Sequence, residues 1–439
     1  MPAFLSAVPQ PLSVAGHASL RSRISGPRAM THPLIAFGLV GLLGACGRSD
    51  LLSGPVGTAG TSGNSGGSVG PGGGGAGMGG RGAGGAVSTS GQAGLGDGSG
   101  SGGLVFSSCS FGPGGAVGSS GAGGRAGKAS SSVLVGTDGS THALTEFPLP
   151  TADGWPMDIA AGPDGNLWFV ESQGNRIGRI TPTGAISECS LPTTPGDPEG
   201  ITTGPDGNLW FTEYQGNKIG RISTDGRITE FPVPTPKAGP KYITTGPDGN
   251  LWFTEYQGSK IGRITPAGAI TEFSVPTPDS NPAGITTGMD GNLWFAETMG
   301  GNIDRIAVDG TILEFPLPSP EPSTSPWGIV WGPDDALWYT ESFDLRIGRM
   351  TPAGNARTFR IPTSDAMAMG ITVGPDGNLW FTEMSGNNIG RISTDGRITE
   401  FPLPGSYSYP LGVVTGPDGN LWFVERGDYG NSKIGRIDP

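Results

Sequence analysis

A Leu-Trp pair recurs at almost constant spacing through most of the chain. Its tryptophan stands at positions 168, 210, 252, 294, 338, 380 and 422. Five of the spacings are 42 residues and one is 44 residues. A period of this length is typical of proteins built from repeated β-sheet units that supply four strands each. The repeat therefore predicts a fold made of seven similar sheets.

The second repeat indicates how one unit folds. It reads GITTGPDGNLWFTEYQGNKIGRISTDGRITEFPVPTP and contains four strand-forming runs, at Ile201–Thr203, Leu209–Glu213, Lys218–Ile222 and Ile228–Val233. The turn segments Gly-Pro-Asp-Gly, Gln-Gly-Asn and Thr-Asp-Gly separate these runs, as in β-hairpins. No segment of useful length has the apolar period of a helix. We therefore predict an all-β, seven-bladed β-propeller of four-stranded antiparallel blades.

Closure of the ring needs a strand from outside the repeats. The last repeat stops at KIGRIDP and lacks a fourth run, whereas a matching run, ALTEFPLP at residues 143–150, precedes the first repeat. We expect this N-terminal strand to complete the last blade, because pairing there removes a free sheet edge. A linear solenoid is the alternative, but it would leave one blade a strand short.

Most recurrent residues within the repeat have structural explanations. Leu, Trp and Phe of the second strand should pack between neighbouring blades. The Gly of each IGRI segment should leave room for that Phe across the hairpin, and its Arg should face the Trp as a cation–π pair. The Gly of Pro-Asp-Gly should occupy a turn position that requires a positive φ.

The start of the chain has the pattern of an export signal. Residues 34–45, LIAFGLVGLLGA, form an apolar run that follows several arginines and is too short to span a bilayer as a helix. The run ends in Leu-Gly-Ala-Cys, which resembles the bacterial lipobox. We interpret residues 1–46 as a lipoprotein-type signal peptide with lipidation at Cys46. An ordinary signal peptide with an incidental cysteine is the alternative.

Residues 47–131 differ in composition from the repeats. They are rich in glycine and serine and contain few apolar side chains. Such a segment buries too little apolar surface to offset the entropy lost on ordering, so we interpret it as a disordered linker before a propeller at 132–439. Its r.m.s. reach of roughly 50 Å would let an anchored propeller stand off the bacterial outer membrane or cell surface.

Charge and cysteines limit the partners and crosslinks. A formal net charge of −12 disfavours binding to nucleic acid, because phosphate would be repelled. We expect a monomer whose partners are the membrane, through its lipid, and a small-molecule, peptide, glycan or protein ligand. Cys189 stands at a position where other repeats have Phe, and we interpret it as a buried free thiol. A disulfide with Cys109 is the alternative.

Function should lie where the repeats differ, just before each innermost strand. Residues there should project toward the mouth of the central channel. They mix aromatic, thioether, aliphatic and charged side chains, which suits an amphipathic ligand better than a polar catalytic pocket. Packing of the Pro-rich loops against one another is the alternative. The candidate binding residues are Trp155, Asp197, Glu199, Lys241, Trp327, Met369, Tyr409 and Leu411, with Met157 and Met367 beside them.

A glutamate also ends the second strand of every repeat. Either these glutamates accept hydrogen bonds from loop backbone as part of the scaffold, or one or two of them face the channel and bind a cation or take a proton. The seven are Glu171, Glu213, Glu255, Glu297, Glu341, Glu383 and Glu425.

The units GPDGNLWFTE and GNKIGRI strongly resemble those of the streptogramin B lyase family, also called virginiamycin B lyases, over residues 142–439. The resemblance implies a seven-bladed propeller that opens a cyclic depsipeptide at its ester bond by elimination, with Mg²⁺. It also implies two catalytic histidines before the innermost strands of the last two blades, an acid two residues before the second histidine, and a glutamate in the last blade. Met369, Leu411, Tyr409 and Glu425 occupy these four positions, so only Glu425 is retained.

The histidines of the chain are His17, His32 and His142, and none lies within the seven full repeats. Abstraction of a proton beside an ester carbonyl needs a base whose pKa lies near the working pH, which Met and Leu cannot supply. The sequence therefore favours a ligand-binding lipoprotein, for which it indicates no particular cofactor. The alternatives are a lyase or other metal-assisted enzyme that uses Mg²⁺ or Ca²⁺ and rim carboxylates such as Glu199 and Glu425, and a spacer domain without a ligand. No metal-ligand set is indicated.

Overall fold

The computed structural model describes residues 104–109, 128–318, 324–428 and 430–438. Across these ranges the chain forms thirty strands in seven antiparallel sheets, which confirms the predicted all-β, seven-bladed propeller. The same ranges contain no helix of the length and apolar character needed to cross a bilayer. The predicted signal peptide, Cys46 and most of the predicted linker lie outside the described residues.

Three strands precede the first repeat: β1 Leu104–Ser108, β2 Ser130–Val135 and β3 Thr141–Pro148. The remaining strands follow in chain order: β4 Pro156–Ala161, β5 Leu167–Glu171, β6 Arg176–Ile180, β7 Ile186–Ser190, β8 Pro198–Thr203, β9 Leu209–Glu213, β10 Lys218–Ile222, β11 Arg227–Pro232, β12 Pro240–Thr245, β13 Leu251–Glu255, β14 Lys260–Ile264, β15 Ile270–Ser274, β16 Pro282–Thr287, β17 Leu293–Glu297, β18 Asn302–Ile306, β19 Ile312–Pro316, β20 Pro326–Trp331, β21 Leu337–Glu341, β22 Arg346–Met350, β23 Ala356–Arg360, β24 Ala368–Val373, β25 Leu379–Glu383, β26 Asn388–Ile392, β27 Ile398–Pro402, β28 Pro410–Thr415, β29 Leu421–Glu425 and β30 Lys433–Asp438.

Each of blades 1 to 6 is built from four consecutive strands, the first of which lies innermost. The innermost strands contact one another in sequence, and β28 contacts β4 to complete the circle. Blade 7 has the strand order β28-β29-β30-β3-β2, so that β3 pairs with β30 where a fourth strand is missing from the last repeat. Phe147 of β3 stacks on Trp422 of the same blade at 5.7 Å between ring centroids. The two ends of the propeller are thus joined within one sheet.

A fifth strand on blade 2 corrects the interpretation of Cys189. β1 pairs with β11 at the outer edge of that blade, although its residues fall within the range predicted as linker. Cys109 follows β1 directly and forms a disulfide with Cys189 on β7 of blade 1. Cys189 is buried, as expected for its Phe-like position, but the prediction of a free thiol is wrong. The crosslink ties the β1 segment to blade 1 as well as to blade 2.

The recurrent Pro-Asp-Gly turn holds the tryptophan of its own repeat. In blade 2, Trp210 Nε1 donates to Asp206 Oδ1 at 3.0 Å, and Asn208 Nδ2 donates to Asp206 Oδ2 at 2.7 Å. Gly207 has a φ of +74°, as predicted for this turn. Arg221 lies opposite Trp210 in the register, with its Cζ 5.4 Å from the indole centroid, which confirms the cation–π pair. One carboxylate therefore satisfies a buried indole and fixes the turn.

The second strand of every blade is buried along its whole length. Trp210 packs with Leu251 and Phe253 of the next blade, so these side chains lie between blades as predicted. Gly220 stands opposite Phe211, and a Cβ added there would lie 2.1 Å from the phenyl ring. The glycine of IGRI is therefore required by the space that the ring occupies.

We predict that Gly220→Ala will destabilise the fold by about 1–3 kcal/mol, because the added methyl overpacks the Phe211 ring. The free energy of unfolding is measured by urea titration. The variant Phe211→Leu makes room for the methyl, so the double variant should lose less stability than the sum of the two single losses. A Gly220→Ala protein as stable as the parent would contradict this account of the glycine.

The strand-ending glutamates make stability depend on pH. Burial, and then a fourth-strand glutamate nearby, raise the pKa of Glu213 and of Glu255 to about 8 from an ordinary value of 4.5. Burial also raises the pKa of Glu383 to about 8. An acid whose pKa is higher in the folded state binds protons more tightly when folded. Between these two pKa values, stability must therefore fall as pH rises.

We predict that the melting temperature falls steadily between about pH 5 and about pH 8, because these carboxyls must ionise while buried. Differential scanning calorimetry across this range measures the slope. Glu383→Gln should flatten it, because one titrating group is lost. Asp225→Asn is the control: Asp225 is exposed and Ser223 lowers its pKa, so it titrates below the window. A melting temperature that rises through this range would contradict the prediction.

Candidate functional site

The innermost strands enclose a cavity of about 150 Å³ at the centre of the ring. Five candidate residues predicted from the sequence line it: Met157, Glu199, Trp327, Met369 and Leu411. The cavity is smaller than the roughly 300–1,000 Å³ of typical ligand pockets. It can therefore take one group of a ligand, whose remainder must lie at the mouth.

The next residue in each innermost strand belongs to a second ring of equivalent positions around the channel. Five blades have glycine there, and a Cβ added at Gly328 would lie 2.3 Å from the Met369 carbonyl oxygen of the next blade. The strands approach so closely that side chains appear at this position only in blades 1 and 3, as Asp158 and Tyr242. Both line the cavity, and sequence reasoning missed them. Their departure from the glycine of the other repeats was the available signal.

A buried ion pair lies beside the cavity. Lys241 Nζ is 2.8 Å from Glu199 Oε2, and Lys241 is 2% exposed. The ammonium lies among three rings, 5.3 Å from the Tyr214 centroid and 5.2 Å from those of Tyr256 and Trp327. Desolvated cation–π contacts of this kind are among the stronger ones. Tyr214 and Tyr256, which follow the strand-ending glutamates of blades 2 and 3, were not predicted from the sequence.

The cavity contains a second carboxylate, that of Asp158. Burial, with a smaller contribution from the charge of Glu199, raises the pKa of Asp158 to about 6, although the backbone N–H groups of Ile201 and Ile159 oppose the shift. These amides donate to Asp158 at 3.1 Å and 2.9 Å. With a pKa of about 6, Asp158 titrates close to neutral pH. The cavity therefore combines apolar walls with two carboxyl groups, of which Glu199 is paired with Lys241.

Tyr242 adds a neutral polar group to the same wall. Its hydroxyl accepts a hydrogen bond from Trp327 Nε1 at 2.8 Å. Burial raises the pKa of Tyr242 well above its ordinary value, so the phenol stays protonated. The indole of Trp327 is thereby held in one orientation between the cavity and the ammonium of Lys241.

The other candidates lie in the loops just outside this cavity. The guanidinium of Arg426 stacks between two of them, with its Cζ 4.7 Å from the Trp155 ring and 5.1 Å from the Tyr409 ring. Asp197 accepts hydrogen bonds from Ser172 and, at 3.0 Å, from Gln215. Trp155, Tyr409 and Arg426 thus form one cation–aromatic cluster, which we call the rim cluster.

Glu425 is not part of the cavity. It is 1% exposed inside blade 7, and its pKa is raised to about 8 by burial and by Glu146, whereas Lys433 opposes the shift. Glu213 has the same surroundings in blade 2, with Glu230 and Lys218 in the equivalent roles. Glu425, which occupies the one family position retained in this chain, therefore has the same kind of buried surroundings as a strand-ending glutamate of another blade.

The residues at the family positions do not fit a magnesium site. Mg²⁺ prefers carboxylate, carbonyl and water oxygens. Met369 and Leu411 offer a thioether and an alkyl group, and Glu425 is enclosed in its blade. These three residues therefore do not provide a set of ligands for Mg²⁺.

Comparison with known proteins agrees with this architecture. The profile of the virginiamycin B lyase family matches residues 129–323 and 318–439. No curated protein sequence matches the chain. Among solved structures, a streptogramin B lyase is 39% identical, with a TM-score of 0.63, over 67% of this chain and 97% of that one.

Two structures of virginiamycin B lyase from Staphylococcus aureus are equally similar. The selenomethionine-substituted protein is 40% identical, and a catalytically inactive histidine-to-alanine variant with quinupristin is 39% identical. Both have a TM-score of 0.64 and cover 67% of this chain and 99% of their own. The family profile extends over all seven blades, and the chain belongs to the virginiamycin B lyase family.

Proposed function

We propose that this family member binds a ligand at the mouth of its channel without lyase turnover. The observation that carries the proposal is the chemistry at the two positions where the resemblance implies histidines. Met369 is 3% exposed and Leu411 is 4% exposed, and both line the cavity. Neither can accept a proton. His142, the histidine within the described residues, lies on β3 of blade 7 against Trp380 and Phe401 of blade 6, and it is not among the residues that line the cavity.

The cavity favours a ligand with an apolar group and N–H donors. Met157, Trp327, Met369 and Leu411 supply apolar contacts, whereas Asp158 and Glu199 supply carboxyl oxygens as acceptors, and the charge of Glu199 is offset by Lys241. Peptides combine such groups more often than glycans do. We infer that an apolar or cationic side chain of a peptide enters the cavity while its backbone contacts the rim cluster, whose aromatic and Arg residues are typical of binding hot spots.

A lyase that uses a carboxylate as base is the second candidate. Asp158 favours it, because a cavity carboxyl with a pKa of about 6 could take a proton near neutral pH. Both oxygens of Asp158, however, already accept backbone N–H groups from two blades. These hydrogen bonds hold Asp158 as a connector between blades 1 and 2, which weighs against a role as a mobile base.

We further propose that the protein is exported and anchored through Cys46. The Cys109–Cys189 disulfide supports export, because disulfides persist in oxidising compartments outside the cytoplasm. The sequence around Cys46 supplies the signal for lipidation.

Quinupristin and Mg²⁺ test the absence of turnover. We predict that the full-length protein leaves quinupristin intact, since no imidazole lines the cavity within the described residues, and mass spectrometry will show no linearised product. A virginiamycin B lyase of Staphylococcus aureus serves as the positive control. Appearance of the linear product with the parent protein, and its loss with Asp158→Asn, would establish the lyase instead.

Binding is tested in the same samples by calorimetry with quinupristin as the probe. We expect saturable binding that Trp327→Ala weakens by at least about tenfold, because truncation of a buried aromatic anchor typically costs more than 1 kcal/mol. Leu313→Ala is the control, because Leu313 is an apolar residue that is 47% exposed on β19, the outermost strand of blade 4. An equal loss in both variants, or no binding to the parent, would contradict a depsipeptide site at this mouth.

The anchor is tested by fractionation of cells that express the full-length chain. We predict that the protein sediments with membranes and that Cys46→Ser moves it to the soluble exported fraction, because the lipid supplies the membrane affinity. Cys109→Ser is the control, because that cysteine is in the disulfide. Equal membrane association of the parent and Cys46→Ser proteins would rule out this anchor.

A further inference from the structure

Most blades contain the same group of four residues between their second, third and fourth strands. In blade 2 these are Glu213, Lys218, Gly220 and Glu230. Lys218 Nζ lies 2.6 Å from Glu230 Oε2, so one cation offsets two glutamates. Blades 1, 3 and 7 have the same set, with Arg or Lys as the cation. We call this set the blade quartet.

The quartet of blade 4 departs from the others at two positions. Asn302 replaces the Lys or Arg, and Asp304 replaces the Gly. Asp304 on β18 lies directly opposite Glu314 on β19, and Glu297 ends β17 on the other side. Carboxylate oxygens of these three residues lie within 4.8 Å of one another. Blade 4 therefore has three carboxyl groups and no Lys or Arg in its quartet.

Hydrogen bonds satisfy only some of the oxygen atoms of these three carboxyl groups. Asn302 Nδ2 donates to Glu297 Oε2 at 2.5 Å, and Thr277 N and Oγ1 donate to Glu314 Oε1 at 2.9 Å and 2.8 Å. While both carboxyls are ionised, the two oxygens of Asp304 and Oε1 of Glu297 are buried without a hydrogen-bond partner. Asp304 and Glu297 are each 0% exposed. Such a group costs several kcal/mol unless a bound cation compensates it or a proton neutralises it.

We propose that Glu297, Asp304 and Glu314 bind one Ca²⁺ ion inside blade 4. Three carboxylates are hard oxygen ligands, which Ca²⁺ prefers and which its flexible coordination accepts in monodentate or bidentate form. Two ligands on opposite sides of Ca²⁺ lie about 4.6–5.2 Å apart, which agrees with the span of this group. Mg²⁺ needs a smaller octahedral shell and keeps several waters, for which a fully buried group is less suitable.

The charge of the other quartets supports a divalent ion. Two glutamates and one Lys or Arg give a formal charge of −1 in blades 1, 2, 3 and 7 when every group is counted as ionised. Three carboxylates in blade 4 give −3, and one divalent cation restores −1. When the strand-ending glutamate of each blade, whose pKa is raised, is counted as neutral, these quartets sum to 0, and blade 4 with one divalent cation also sums to 0. The ion would link β17, β18 and β19 in the way that Lys218 links β10 to β11. Its role would be structural, because the group lies within a blade and not at the cavity.

Blade 6 serves as an internal comparison. It also has an Asn in place of the Lys or Arg, at position 388, but it keeps Gly390 and so has two carboxyls only. Asn388 Nδ2 donates to Glu383 Oε2 at 2.8 Å, as Asn302 does to Glu297. In blade 6 an amide therefore supports the two carboxyls that remain without the Lys or Arg. Asp304 adds a third carboxyl in blade 4, which the proposed ion would compensate.

The test uses the full-length protein after treatment with a chelator and dialysis into metal-free buffer. Bound metal is counted by elemental mass spectrometry after addition of CaCl₂ and removal of excess, and the melting temperature is measured with and without CaCl₂ or MgCl₂. We expect one Ca²⁺ per chain and a rise in melting temperature that Mg²⁺ at the same concentration does not match. A ligand that binds only the folded state must raise stability in this way.

Two variants locate the ion. Asp304→Gly restores the residue of the other six blades, and Asp304→Asn keeps the side-chain volume without the charge. Both should lose the bound Ca²⁺ and its effect on melting, and the second protects the test if the first fails to fold. Glu400→Gln, which changes the quartet of blade 6, should bind as the parent does. No Ca²⁺ in the parent protein, equal Ca²⁺ in the Asp304 variants, or a preference for Mg²⁺ would overturn the assignment.

Discussion

The propeller depends on complete burial of the second strand of each blade against its neighbour. Once the Trp and Phe of LWFTE are enclosed, their surroundings are strongly constrained. The indole N–H needs an acceptor, which the Asp of Pro-Asp-Gly supplies, as Asp206 does for Trp210. The phenyl ring needs space, which the Gly of IGRI supplies, as Gly220 does for Phe211. The ten-residue repeat therefore serves packing. It recurs because the same contact between neighbouring blades is made seven times.

This constraint explains why the positions of the strands could be predicted from the sequence. The predicted run Leu209–Glu213 is the observed β9, and Lys218–Ile222 is β10, because each lies between turn residues and carries the residues of the contact. β1 was missed because it lies in a glycine-rich segment and pairs through its backbone, which composition does not reveal. The disulfide of Cys189 was passed over for the same reason, since its partner follows that strand.

The candidate site was predictable in part. Positions before the innermost strands were found because the repeats differ there, and Trp327, Met369 and Leu411 do line the cavity. Asp158 and Tyr242 were missed, although they break a ring of glycines, because the significance of that ring depends on how closely the strands approach. Glu425 was singled out by its place in a family pattern. Only the three-dimensional structure shows that burial, with Glu146 and Lys433, gives it the same surroundings as its counterparts in other blades.

Seven copies of one unit also separate what the scaffold needs from what a single blade adds. A glutamate present in every blade is explained by the fold, and its raised pKa follows from burial, as for Glu213 and Glu425. A residue present in one blade has no such explanation. Asp304 occupies a position that packing otherwise reserves for glycine, and it brings charge into a place without a cation. Burial of such a charge is unfavourable by itself, so either a bound cation or a proton must compensate it. Asp158 and Tyr242 at the channel differ in this respect, because hydrogen bonds from backbone N–H groups and from Trp327 already satisfy them. Differences among the blades are therefore more informative about function than the repeat that they share.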